Sequence, residues 1–237
     1  MIIWTLATGN EADLDKNLIR LASNILSDDE LSRARRFQFE ADRNRFIAAH
    51  ALCRLMLSSQ GELEPSFWEF DREPEGRPYV INSQLPLDFN FSHTTGMVGC
   101  ALSTLGRVGF DLEYCLRPVN IDSLARKKFA PEESKDVLSF ADEEQRDQFF
   151  RYWTLKEAYI KVTGRGLRQS LDSFCFDLKG PDPQCWVNGQ CLNQYKFGLV
   201  STGNTYQAAW AFEFNKGQNL TPEVIHLDPE AFQGMLE

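Results

Sequence analysis

The apolar positions of this chain recur with two periods, and the switches between them predict the elements. Ile2 to Leu6 read as a short strand and Asp13 to Ile25 as a helix. Ser27-Asp-Asp-Glu30 is a capping box: the Ser27 hydroxyl and the Glu30 carboxylate each satisfy a free N–H, so a second helix starts there. After a break near Glu40 and Ala41, Phe46, Ala49, Leu52, Cys53, Met56 and Leu57 keep helical spacing through Asp42 to Ser58, the expected core helix of the first half. Pro, Gly and Asn between Gly61 and Pro86 predict loops joining short strands at 67–70 and 78–81. Leu87 to Phe91 and Met97 to Ser103 read as strands flanking the polar turn Ser92 to Gly96, and Val108 to Glu113 as another. A helical region over Ile121 to Phe140 and a longer helix over Asp142 to Thr163 follow. The remainder reads as strands, with turns at Lys179-Gly180-Pro181 and Asn188-Gly189, and the tail after Thr221 as packing or a frayed end. Strands and helices do not alternate as βαβ units, which makes the fold class α+β.

Shifting the first half by 103 residues superposes Glu30 on Glu133, Phe37 on Phe140, Arg43 on Arg146, Phe46 on Phe149 and Leu52 on Leu155. Under the same shift His50 meets Trp153 and Arg54 meets Glu157, so the apolar frame persists while polar positions diverge. A diverged duplication predicts two similar α/β halves, 1–104 and 105–237, related by a pseudo-twofold, with a site in the cleft between them. Chance agreement between two amphipathic helices is the competing account.

Composition narrows the class. With 237 residues, 43% hydrophobic and 18 of them Phe, the chain can fill a substantial core. No apolar run approaches the roughly 18 residues of a membrane span, and the start lacks the basic and apolar regions of a signal peptide, so a soluble, cytoplasmic protein is expected. The six cysteines are scattered without CxxC or zinc spacing and are expected to stay reduced. A net charge of −9 argues against nucleic acid as main partner. Arg33, Arg35, Arg36, Arg43 and Arg45 fall within thirteen residues, which suits either a compact anion or a solvated helix face.

The densest chemistry lies in Gly109-Phe110-Asp111-Leu112-Glu113 and in Trp153 to Lys161. On a strand Asp111 and Glu113 share one face while Phe110 and Leu112 take the other. On a helix Trp153, Glu157 and Lys161, spaced by four, form one stripe. Three acids without His or Cys suit a hard cation such as Mg²⁺, which is commonly held by carboxylates and substrate phosphates, and argue against zinc. Each piece alone also reads as an exposed strand face or an ordinary i,i+4 ion pair. Asn90-Phe91-Ser92-His93 offers a hydroxyl and an imidazole to a phosphate or ribose, or is a plain turn; no GxSxG elbow supplies a serine nucleophile. Gly76-Arg77-Pro78 offers a cation on a rigid turn.

GRP, NFSH, VGFDLE and WTLKEAYIK, in this order and at these separations, resemble the successive motifs of the 4′-phosphopantetheinyl transferases, and the resemblance runs from about Leu26 to Leu171. The length resembles the long, monomeric, pseudo-dimeric surfactin-synthetase-activating type. The resemblance implies transfer of the phosphopantetheine arm of coenzyme A to a serine of an apo acyl or peptidyl carrier protein, releasing 3′,5′-adenosine bisphosphate. It implies Asp111, Glu113 and Glu157 as Mg²⁺ ligands, and Glu157 with Lys161 as the catalytic pair, Glu157 as general base. It implies Arg45, Arg77, Pro78, Ser92, His93, Lys156 and Lys161 as coenzyme A contacts, with Arg33 a further position for the 3′-phosphate. Relatives often carry GKP where this chain has GRP, and a relative can have a hydroxyl residue where it has Phe46. The segment Arg117 to Phe140, with Leu124 and Phe129, is the expected carrier surface, although both side chains read equally as core. Other Mg²⁺-dependent phosphotransferases would use the same acids, but the chain has no Walker GxxxxGK[ST]; a non-catalytic coenzyme A or carrier-binding module would not need all three.

Overall fold

In the computed structural model, which describes residues 1–9, 14–61, 63–214 and 221–237, the capping box at Ser27 forms. Ser27 N–H donates to Glu30 Oε2 at 2.8 Å and Glu30 N–H to Ser27 Oγ at 3.3 Å, starting α2 (Asp28–Ala34). The preceding helix α1 covers Lys16–Asn24, and its expected start at Asp13 lies outside the described residues. The long helix α3 already begins at Glu40 (Glu40–Ser58), earlier than the pattern suggested.

The chain divides into two units. The first takes residues 1–73, 78–105 and 219–237, the second 74–77 and 106–218, whereas the apolar pattern suggested a single division at 104/105. Elements are numbered along the whole chain. In the first unit, β1 (Ile2–Ala7) pairs antiparallel with β5 (Met97–Ser103), which pairs with β4 (Asp88–Thr94). The unpaired side of β1 takes β12 (Glu223–Leu227) in parallel, and Phe232 of α7 (Pro229–Gly234) is fully buried in the same core. The tail is thus a structural part of the first unit, because an edge strand leaves a row of backbone donors and acceptors that another strand satisfies. A hairpin of β2 (Phe70–Arg72) and β3 (Pro78–Val80) completes the unit; its first strand starts later than expected because Pro65–Phe67 coil into a 3₁₀ turn.

Beneath α3 the Glu30 carboxylate meets a second set of partners. His50 Nδ1 lies 2.7 Å from Oε1, and Arg54 donates to Oε2 at 2.7 and 3.0 Å. The remaining Arg54 nitrogen reaches the carbonyls of Pro65 and Trp68, so one buried guanidinium fastens helix start, long helix and following turn together.

The second unit repeats this plan. β6 (Val108–Tyr114) pairs with β11 (Tyr206–Glu213), which pairs with β10 (Tyr195–Val200), all antiparallel. Helix α6 (Asp142–Thr163) packs on β6 and β11. A small sheet of β7 (Cys175–Asp177), β8 (Gln184–Val187) and β9 (Gln190–Cys191) lies beside it; Asn188 and Gly189, both at positive φ, make the predicted turn. The helical region expected over 121–140 is two helices, α4 (Ile121–Lys128) and α5 (Pro131–Val137), because Pro131 forces Ala130 into extended backbone. Phe129, weighed above as a docking residue, is 3% exposed and packs on Phe149. All six cysteines are free thiols, and no helix of the described residues is long and apolar enough to cross a membrane.

Burial pushes the Glu30 carboxyl up, but the hydrogen bonds and charges of His50 and Arg54 outweigh it and hold the group at about 2, below its ordinary 4.5. Burial pulls the His50 imidazole below its ordinary 6.5. Both folded-state values lie below the unfolded ones, so both contributions are present at neutral pH and are lost on acidification. The His50 share fades below about pH 6.5 and the Glu30 share, worth about 3 kcal/mol, between about pH 4.5 and 2. Glu30→Gln is expected to lower the urea midpoint at neutral pH and to flatten its fall between about pH 5 and 3; an unchanged slope with pH would contradict this pairing.

Candidate active site

Gly109 decides how closely β6 lies on α6. A Cβ at this position would stand 2.0 Å from the Ala158 carbonyl oxygen and 2.7 Å from the Val162 nitrogen, so only glycine admits the contact. The residues flanking Ala158 on the helix stripe, Glu157 and Lys161, are thereby brought to the strand that carries Asp111 and Glu113. Lys161 Nζ donates to the Phe110 carbonyl at 2.9 Å and to Asp111 Oδ1 at 2.8 Å.

The Glu113 carboxylate is held from two sides. Trp153 Nε1–H donates to Oε1 at 3.0 Å, and Arg117 Nε lies 3.3 Å from Oε2 with its guanidinium against the Phe150 and Trp153 rings. Burial, then the Asp111 charge, pushes Glu113 up to about 7 against the opposing pull of Arg117, Trp153 and Lys161. Burial and Asp111 likewise push Glu157 up, with Lys161 opposing. Glu157 makes no hydrogen bond or ion pair among the described residues. The three acids therefore share one electrostatic neighbourhood centred on Asp111.

This donor set suits a hard divalent cation. Its oxygens are all carboxylate, Asp111 destabilises the charge on both glutamates, and one carboxylate is uncommitted. As they stand, no three acidic, histidine or cysteine side chains among the described residues are close enough together to enclose a metal ion; Lys161 holds Asp111, and Trp153 and Arg117 hold Glu113.

Two expected ligand contacts take other roles. Lys156 is fully buried: its ammonium donates to the Leu171 and Phe174 carbonyls and to Glu133 Oε2, all at 2.7 Å, and lies over the Phe174 ring. Glu133 in turn accepts the N–H groups of Ala130 and Phe176, so the pair closes the start of α5 and has no donor left for a bound molecule. Burial pushes Glu133 up and pulls Lys156 down, each countered by the other's charge. Arg77, 7% exposed, donates to the carbonyls of Lys161 and, at 2.8 Å, Val108.

The remaining expected contacts belong to the first unit. Ser92 and His93 sit on β4, Ser92 buried and His93 exposed, and Pro78 opens β3. Arg33 pairs with Asp29 at 3.1 Å and lies over the Phe46 ring, which itself stacks on His50; Arg45 lies 3.3 Å from Asp42. Sequence reasoning missed the orienting roles of Trp153 and Arg117. Both depend on tertiary contacts: Trp153 reaches Glu113 from α6, and Arg117 reaches it across the turn that follows β6.

The profile of the 4′-phosphopantetheinyl transferase superfamily matches residues 107–213, and that of the 4′-phosphopantetheinyl transferase N-terminal region matches 15–104. The chain is 42% identical over 145 residues to the 4′-phosphopantetheinyl transferase HetI of Nostoc sp., covering 60% of this chain and 61% of that protein. It is 32% identical over 156 residues to Sfp of Bacillus subtilis, covering 65% and 67% of the two chains. A phosphopantetheinyl transferase of Thraustochytrium sp. is 30% identical over 224 residues, covering 89% and 77%. The matched region thus spans about three fifths of HetI.

Removing the ammonium at Lys156 leaves Glu133 buried without its counterion. Lys156→Met is expected to cost about 3–5 kcal/mol in urea unfolding. Calorimetric coenzyme A affinity of the folded variant is expected to stay within twofold of the parent, and a tenfold loss would restore Lys156 to the ligand contacts.

Proposed function

Because the chain belongs to the 4′-phosphopantetheinyl transferase superfamily, we propose that it transfers the phosphopantetheine arm of coenzyme A to a serine of an apo acyl or peptidyl carrier protein. The observation that supports this reading is that the Asp111 charge acts on both Glu113 and Glu157 while Lys161 bonds Asp111, on a strand and helix held in contact at Gly109. The reading includes a cytoplasmic monomer that works without nucleic acid or membrane.

In the proposed reaction the serine oxygen bonds to the β-phosphorus of coenzyme A while the bond from that phosphorus to the bridging oxygen breaks. 3′,5′-Adenosine bisphosphate leaves and a phosphodiester remains on the carrier. Such transfer depends mainly on alignment and charge stabilisation. Asp111, Glu113 and Glu157 would hold Mg²⁺, which when bound neutralises charge on the pyrophosphate. Lys161 supplies a fixed positive charge beside the same phosphates. Trp153 and Arg117 keep Glu113 aimed by taking one carboxylate oxygen each.

Glu157 is the group proposed to take the serine proton. It has no competing hydrogen-bond donor among the described residues, which leaves its oxygens open to accept a proton. Arg33, Arg45, Pro78, Ser92 and His93 are proposed for the nucleotide end of coenzyme A. Phe46 gives no hydrogen bond there and instead supports Arg33 from below.

Incubation with coenzyme A, Mg²⁺ and an apo carrier protein is expected to add the mass of one phosphopantetheine arm to the carrier. Nucleotide turnover without coenzyme A would point to another phosphotransferase, and coenzyme A binding without transfer to a binding module. Glu157→Gln is expected to slow transfer by about 10²–10⁴-fold. Unchanged transfer by that variant would rule out Glu157 as the base.

A further inference from the structure

The second residue of the GRP motif lies apart from the rest of the first unit's motifs. Residues 74–77 pack with the second unit, whereas Pro78 already belongs to the first. Two features hold the segment there. Glu75 Oε1 pairs with Arg168 at 2.8 Å, and Arg77 is buried with its two terminal nitrogens on carbonyls of two different elements.

Those two carbonyls are informative. The Lys161 carbonyl lies in the last turn of α6, one of the terminal carbonyls that no longer has an intrahelical partner four residues on, and the Gly164 amide that also reaches it does so at 3.3 Å. The Val108 carbonyl belongs to the first residue of β6, next to Gly109. The guanidinium fork therefore ties the backbone of Lys161 to the backbone beside Gly109. The Lys161 side chain makes the parallel tie two and three residues further along β6, to Phe110 and Asp111. One residue of α6 is thus fixed to the strand by both its backbone and its side chain, and Arg77 supplies the backbone half.

We infer that Arg77 is a positioning residue, which sets the last turn of α6 against β6 so that Lys161 meets Asp111, and that it makes no contact with coenzyme A. The planar fork of the guanidinium holds two carbonyls at a fixed separation and angle, which the rotatable ammonium of a lysine does not fix.

The kinetic and binding arms of the test rest on the proposed coenzyme A reading; the exchange arm does not. Arg77→Met and Arg77→Lys are compared with the parent well below their unfolding temperatures. The expected result for Arg77→Met is a fall in kcat of tenfold or more, with KM for coenzyme A and the preference for coenzyme A over its 3′-dephospho form within twofold of the parent. Arg77→Lys is expected to recover part of kcat. Calorimetric affinity for coenzyme A is expected to be unchanged in both, while amide exchange of residues 161–164 quickens at least tenfold in Arg77→Met. A tenfold weaker coenzyme A affinity, or a lost preference over the dephospho form, would overturn the inference in favour of a phosphate contact. Unchanged amide exchange over 161–164 would overturn it as well, whether or not the parent transfers phosphopantetheine.

Discussion

The contact between the backbone of Gly109 and that of Ala158 sets the geometry on which the candidate site depends. A helix on a sheet is normally held off it by the side chains between them. Here one missing Cβ lets strand β6 touch α6 directly. Lys161 thereby reaches Asp111, and the Asp111 charge is felt by both Glu113 and Glu157. The charge consequences follow from this proximity and from burial: two glutamates are pushed upward and Lys161 is drawn onto Asp111. Arg77 and Lys161 then secure the contact from the backbone and from the side chain.

A second constraint is used twice. In each unit a glutamate at the third position of a short helix caps that helix and also receives a cation from the long helix, Glu30 from Arg54 and Glu133 from Lys156. A carboxylate with this many donors is a strong anchor, because removing any partner leaves a buried charge uncompensated. The halves differ in where the cation comes from. Under the 103-residue shift Lys156 corresponds to Cys53, and Glu157 to Arg54. Moving the counterion back by one residue keeps the cap paired and frees position 157 to present an acid toward Asp111. The duplicated frame therefore accommodates a reactive residue in the second unit at the place where the first keeps a structural one.

Two buried cations of the second unit serve the fold. Lys156 and Arg77 lie within motifs that resemble ligand-binding stretches, yet the Lys156 ammonium and the two terminal nitrogens of Arg77 bond carbonyls and a carboxylate of the second unit. The motif letters cannot distinguish a lysine that points to solvent from one that points into the core. Position along the helix can: Lys156 is adjacent to Glu157 and so about 100° round the helix from it, facing α5 and the small sheet.

By itself the sequence determined the period of the long helices, the capping box at Ser27, the shared face of Asp111 and Glu113, the stripe from Trp153 to Lys161 and the frame repeated after 103 residues. These are local properties, fixed by spacing and by hydrogen bonds that reach only three or four residues. Tertiary structure alone decided what depends on distant partners. It split the helical region at Pro131 into two packed pieces, sent the tail back to pair with β1, and gave residues 74–77 to the second unit. It also gave Glu113 its partners Trp153 and Arg117 and buried Lys156 against Glu133. Whether a cation serves the fold or is left for a ligand depends on which buried oxygens lie within about 3 Å of it, and those oxygens come from residues far away along the chain.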